Sequence, residues 1–309
     1  MALKLLKRIF SYRLKSVKNP SYTGQDFVAA SRWYQKLADQ GNADAQFKLG
    51  SIYQEGKGVQ QDFATAIKWY QEAADQGHIA SKFSLGSLYQ NGKGVRQNFA
   101  TAIQWYQEAA DQGHIASKFS LGSLYQNGKG VRQNFATAIQ WYQKAADQGH
   151  IASQFSLGSL YQNGKGVRQN FATAIQWYQK AADQGHIASQ FSLGSLYQDG
   201  EGVQQDFATA IKWYQKAADQ GHIASQFSLG SLYQDGEGVQ QDFSTAAKWY
   251  QKAADQGHIA SQFSLGSLYQ DGKGVRQDKS QAKEWFGKAC DNGDQAGCDN
   301  YRILNELKY

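Results

Sequence analysis

The chain has 309 residues and a formal net charge of +6, and Lys4, Lys7, Arg8, Arg13, Lys15 and Lys18 account for the whole excess. The remainder is neutral, which argues against nucleic acid as the partner, and no apolar run approaches the ~18 residues a membrane-spanning helix needs. The eight tryptophans recur every 36 residues from Trp33 to Trp285, so the length reflects repetition rather than two ordinary domains.

At the start of the chain, Leu6, Phe10, Leu14 and Val17 form a stripe at helical spacing that ends at Pro20, the only proline. This predicts a basic amphipathic helix that caps the first repeat. A peripheral helix touching anionic membrane, or the remnant of a longer export signal, would carry the same pattern. The expected organisation is a capping helix and linker over residues 1–25, a repeat array over 26–293 and a C-terminal capping helix over 294–309.

One repeat can be read from residues 62–97. Asp62 is placed to cap a helix on which Phe63, Ala66, Ile67, Trp69, Tyr70, Ala73 and Ala74 share one side, and Gly77 stops it. A second helix follows, with Ile79, Phe83, Leu85, Leu88 and Tyr89 on its apolar arc and Gly86 where a neighbouring backbone can approach. Its other edge is small and polar: Ala80, Ser84, Ser87 and Asn91. The segment "NGKGVRQN" then turns the chain, Gly92 and Gly94 supplying the unusual dihedrals. Two helices per 36 residues and no β-rich segment predict an all-α solenoid of helix-turn-helix repeats.

All six histidines fall in one column, from His78 to His258, and Asn42 and Asp294 hold the equivalent positions at its ends. The shared property of Asn, Asp and His is a short polar side chain able to serve a helix start. Equivalent positions in stacked repeats lie roughly 10 Å apart, whereas a metal needs its ligands about 2 Å from one ion. The column therefore reads as turn chemistry copied by duplication, with no metal and no cofactor.

The units "ADAQFKLGSIYQEGKGVQQDFATAIKWYQEAADQG" and "LGSLYQDGKGVRQDKSQAKEWFGKACDNG" resemble the Sel-one-like repeat family. Ala43, Ala45, Leu49, Gly50, Tyr53, Gly56, Gly58, Val59, Asp62, Ala66, Trp69, Ala73, Ala74 and Gly77 fill its pattern in order, and the match recurs through residues 26–293. The G-x-G-V loop and the 36-residue period separate it from tetratricopeptide repeats. The chain departs from the pattern at Ile79 and Ser81, which replace paired alanines, and at Thr65, which replaces a lysine.

The resemblance implies a right-handed α/α superhelical solenoid whose first helices line a concave wall that holds other proteins or extended peptides. Ala80, Ser84, Ser87 and Asn91, with Ser120, Ser123, Ser156, Ser159, Ser192, Ser195, Ser228 and Ser231, are the candidate residues of that wall. A plain solvated helix face would show the same stripe. The expected protein is a monomeric, non-catalytic scaffold.

Cys290 and Cys298, the only cysteines, sit in "KACDNGDQAGC". This segment looks like the cysteine-rich branch of the family known from Helicobacter, and the resemblance implies a disulfide between adjacent helices. Such a bond would place the protein in the cell envelope or outside the cell, and free thiols would place it in the cytoplasm. Some cysteine-rich relatives bind or hydrolyse β-lactams, which makes a β-lactam-binding or β-lactam-hydrolysing envelope protein the alternative. "SQAK" at Ser280–Lys283 fits S-x-x-K, but neither S-D-N nor K-T-G occurs. Charge also varies along the array: residues 91–168 hold eight Lys/Arg against three acids, and residues 199–257 hold four against eight.

Overall fold

The computed structural model describes residues 24–307, and every regular element among them is a helix. The helix expected over residues 1–20 lies outside the described residues. Contacts divide the chain into two compact units, Met1–Gln133 and Asn134–Tyr309. The first contains α1 (Gly24–Ala38), α2 (Ala43–Glu55), α3 (Phe63–Asp75), α4 (Ile79–Asn91), α5 (Phe99–Asp111) and α6 (Ile115–Asn127). The second contains α7 (Phe135–Ala146), α8 (Ile151–Asn163), α9 (Phe171–Ala182), α10 (Ile187–Asp199), α11 (Phe207–Ala218), α12 (Ile223–Asp235), α13 (Phe243–Ala254), α14 (Ile259–Asp271), α15 (Lys279–Asp291) and α16 (Gln295–Glu306).

Local chemistry sets the helix ends. Asp62 Oδ1 accepts from the Ala64 and Thr65 amides at 2.9 and 3.1 Å, satisfying donors that the first turn of α3 leaves free. At the end of α4, Gly92 takes the left-handed conformation at φ 65°, and its amide closes on the Leu88 carbonyl. The loop that follows is tied down twice more: Gln97 Nε2 donates to the Gln90 carbonyl at 2.8 Å, and the Asn98 amide to the Tyr89 carbonyl at 2.9 Å.

Burial links each repeat to the next. In the first unit, Ala66, Tyr70 and Ala74 of α3 close on Leu85 and Leu88 of α4, and Trp105 of α5 packs over them. In the second, Ala174, Tyr178 and Ala182 of α9 meet Leu193 and Leu196 of α10, with Trp213 of α11 in the same cluster. Trp105 and Trp213 thus complete a core built by the two helices before them, as expected of a linear array. Gly86 serves a different purpose from the backbone approach its sequence suggests. A Cβ there would lie 2.6 Å from the ring carbons of Tyr106, so the glycine makes room for an aromatic ring.

A buried polar tie accompanies this packing. Gln190 of α10, 3% exposed, donates to the Ala182 carbonyl at 3.2 Å and accepts from Gln220 at 2.8 Å. In the first unit the equivalent position is Lys82, which ion-pairs with Glu108 at 2.8 Å. Lys118 is the next copy, 8% exposed, and among the described residues no carboxylate lies within ion-pairing distance of it. Lys118→Gln places at this position the residue that α8, α10, α12 and α14 carry, with Ala110 and Gln148 standing where Ala182 and Gln220 bond to Gln190. Gaining that tie is expected to stabilise the protein by roughly 1 kcal/mol, read as a higher urea midpoint at unchanged m-value.

Candidate functional site

The histidine column is a set of helix caps. In the first unit His78 and His114 precede α4 and α6. Each Nδ1 accepts from the backbone amide three residues on, Ser81 and Ser117, at 3.2 Å, and lies 2.9 Å from that serine's Oγ. His150, His186, His222 and His258 do the same for α8, α10, α12 and α14. Accepting from an amide requires a lone pair on Nδ1, so the proton of the neutral ring sits on Nε2. The rings pack at 4.8 Å between centroids on Phe47 (His78) and Phe83 (His114). Burial lowers all six histidine pKa values below the ordinary 6.5. No three His, Cys, Asp or Glu side chains among the described residues converge as a metal site would require.

The small-residue stripe is half-buried and bonded. Ala80, Ser84 and Ser87 of α4 are partly covered, while Asn91 is exposed and donates to the Ser87 carbonyl at 2.9 Å. Asn127 and Asn163 donate to the carbonyls of Ser123 and Ser159 in the same way, at 2.8 and 2.7 Å. Ser156 and Ser192 turn their hydroxyls to the carbonyls of Ala152 and Ala188 on their own helices, at 2.8 and 2.9 Å.

Tyrosine hydroxyls lie beneath the serines of successive helices. The Tyr106 hydroxyl of α5 lies near Ser87 of α4 and Ser120 of α6. In the second unit the Tyr178 hydroxyl lies near Ser159 and Ser192, and that of Tyr214 near Ser195 and Ser228. Tyr250 lies 3.3 Å from Ser231. Glutamines complete the row: Tyr178 and Tyr214 donate to Gln162 and Gln198 at 2.7 and 2.8 Å.

Burial pushes Tyr106 and Tyr178 up to about 12, and the serine hydrogen bonds oppose it. The tyrosines are neutral and buried beneath the face, and the hydroxyls at the face itself are those of the half-buried serines. These tyrosines were hidden in the sequence by their place on the apolar stripe. One signal marks them: the residue after each tryptophan from Trp33 to Trp249 is tyrosine, and after Trp285 it is Phe286.

At the C-terminal end, Cys290 of α15 and Cys298 of α16 are joined by a disulfide, with Cα atoms 4.5 Å apart. Ser280 is exposed in the first turn of α15, and the Lys283 ammonium lies 5.8 Å from the centre of the Tyr301 ring. No helix among the described residues is long and apolar enough to cross a membrane.

Helix pairs of this length, joined by G-x-G-V loops and stacked through a tryptophan, recur in known proteins. The Sel1 repeat family model matches eight consecutive segments, residues 20–42, 43–78, 79–114, 115–150, 151–186, 187–222, 223–258 and 259–294. The chain belongs to the Sel1 repeat family. Its repeat unit in that frame starts at the helix that carries the serines, so α4 and α5 form one unit. The fold is similar to a protective antigen of uropathogenic Escherichia coli that displays an SLR fold. That match has 36% identity and a TM-score of 0.84 over 91% of this chain. The chain spans 61% of the antigen's length. A Sel1 repeat protein from Oxalobacter formigenes is similar at 33% identity and TM-score 0.74, over 94% of this chain and 83% of that one. Cysteine rich protein B of Helicobacter pylori matches 44% of this chain and 98% of its own, at 28% identity and a TM-score of 0.35. No curated protein matches the chain. Sel1 repeat arrays are a scaffold type typical of protein-interaction proteins.

Proposed function

We propose that the protein is a non-catalytic scaffold that holds a protein or extended peptide along the face carrying Ala80, Ser84, Ser87 and Asn91 and its copies. The observation that supports this reading is the row of neutral hydroxyls. Tyr106 with Ser87 and Ser120 forms one group, and Tyr178 with Ser159 and Ser192 repeats it. A serine hydroxyl such as that of Ser156 or Ser192, which donates to a carbonyl of its own helix, keeps lone pairs that can accept from a peptide N–H. Small side chains beside them leave room for a ligand's backbone, and repetition suits an extended ligand rather than a compact substrate.

Ala80 and Ala116 border this row without belonging to the hydroxyl network, so Ala80→Lys/Ala116→Lys blocks the face and leaves its hydrogen bonds intact. Peptides selected from a displayed random library against the full chain are expected to bind the double variant at least about tenfold more weakly, the change that 1.4 kcal/mol produces. Equal fluorescence-polarisation affinity for parent and variant, with equal melting temperatures, would exclude this face.

A further inference from the structure

The histidine column ends at the last repeat, and the ring packing it provides ends with it. In the second unit the imidazoles of three caps lie on phenylalanines of the serine helix before them. His186 lies on Phe155, His222 on Phe191 and His258 on Phe227, with centroids 4.9, 4.9 and 4.8 Å apart. The next residue in this series is Asp294. Its backbone keeps the cap geometry, with φ −82° and ψ 110° against −70° and 110° at His258. Its side chain is a short carboxylate without a ring, so the position of the imidazole over Phe263 is vacated. Phe263 retains its other aromatic contact, to Phe286 at 5.4 Å between centroids.

What remains is a cavity of about 730 Å³, lined in part by His258, Ile259, Phe263, Ser264, Asp294 and Ala296. Its apolar wall is open to a ligand: Ile259 is 39% exposed, whereas its copies Ile187 and Ile223 are partly covered. Asp294 is half-buried, and its Oδ2 accepts from the Gly297 amide at 3.2 Å. Among the described residues no cation pairs with Asp294, and Arg302 on the same helix pairs with Asp299 at 3.8 Å. His258 brings no opposing charge, because burial holds its pKa below the ordinary 6.5 and keeps the ring neutral at neutral pH.

We infer that this cavity takes an arginine side chain of the bound peptide, with its guanidinium flat on the Phe263 ring and bonded to the Asp294 carboxylate. A guanidinium is planar, like the imidazole whose place it fills, and it stacks readily on aromatic faces. It is cationic, which suits a half-buried carboxylate without a counter-ion, and its paired N–H groups match the two carboxylate oxygens. Oδ2 keeps a lone pair beside its bond to the Gly297 amide, so both oxygens remain acceptors. The apolar stem of the arginine then lies along Ile259 and Ala296. Ala260 and Ser264 are copies of Ala80 and Ser84, so the assignment of the guanidinium to a peptide rests on the function proposed above; the cavity's affinity for the group itself does not.

The test titrates the full-length chain with Nα-acetyl-arginine methylamide and follows the Gly297 amide, which Asp294 caps, by proton–nitrogen correlation NMR. The arginine probe is expected to shift that resonance at millimolar concentration. The citrulline counterpart has the same shape without the charge, and the lysine counterpart has the charge without the plane; each is expected to bind about tenfold more weakly or worse. Asp294→Asn and Asp294→His keep the helix cap, since Asn42 and His258 cap α2 and α14 in the same way. The first is expected to weaken the arginine probe about tenfold by removing the charge, and the second to abolish binding by returning a ring to Phe263, both at unchanged melting temperature. No shift in the parent, equal binding of the citrulline or lysine probe, or a variant that binds as the parent does overturns the inference. Selected peptides give the second arm: their affinity should fall about tenfold when an arginine is replaced by citrulline. Peptides that Ala80→Lys/Ala116→Lys blocks but that show no arginine preference would keep the proposed face and remove the cavity from its site. Binding of the arginine probe with no peptide captured would keep the cavity and remove the peptide.

Discussion

Trp213→Ala is expected to destabilise the second unit by about 3–5 kcal/mol, the range for removing a large aromatic side chain from a packed core. Trp213 is 8% exposed and sits in a cluster with Ala174, Tyr178 and Ala182 of the preceding repeat and Leu193 and Leu196 of its own. Its loss therefore removes contact to α9 of the preceding repeat as well as to α10 of its own, and in a linear array the first of these is the interface term that holds neighbours together. The exposed Lys216 also contributes, with its ammonium 3.9 Å from the ring centre. A cation over an aromatic face at the surface is worth about 0.5–1 kcal/mol, so Lys216→Ala should cost far less than removing the ring. Urea unfolding followed by tryptophan fluorescence and by circular dichroism separates the two. A Trp213→Ala cost no greater than that of Lys216→Ala would mean the ring is not the tie between repeats.

Much of this architecture is written in the chain because each local signal is repeated and each agrees with its neighbours. Asp62, Phe63, Trp69 and Gly77 each predict the role they take, as cap, core face, core and stop. The column of histidines is legible for the same reason: Asn42 accepts from the Ala45 amide at 2.9 Å, and His114 does the equivalent at the start of α6.

The candidate site was less legible, since it depends on which atoms meet between helices distant in sequence. The serine stripe is apparent from spacing alone. That Ser87 and Ser120 lie near the hydroxyl of Tyr106 is not, because an amphipathic pattern assigns a tyrosine to the core by its ring and says nothing of where its oxygen lies. Gly86 illustrates the same limit: a gap in the apolar arc is visible, but the ring of Tyr106 that fills it comes from another helix.

The second large effect expected is loss of stability in mild acid. A protonated imidazole has no lone pair at Nδ1, so it cannot accept from the amide of Ser117 or its equivalents, and the cap is lost. Burial already lowers each histidine pKa in the folded chain, so the unfolded chain binds the proton more readily. The stabilisation is complete above the unfolded value of about 6.5 and is lost as the pH falls through the lowered folded values. His78 should respond least, because Asp44 lies 3.5 Å from its Nε2 and favours the charged ring, with Lys48 opposing it. A helix cap is worth about 1 kcal/mol, so six lost together amount to several kcal/mol. The cap aspartates Asp62, Asp206 and Asp242 have lowered pKa values and contribute only at more acidic pH, below the window of the histidines. Converting all six histidines to asparagine, the residue at position 42, keeps the caps and removes the titration. The melting temperature of the parent should fall steeply between about pH 7 and pH 5 while that of the sixfold variant stays nearly level. Parallel pH profiles for the two proteins would show that the histidine caps are not the source of the acid sensitivity.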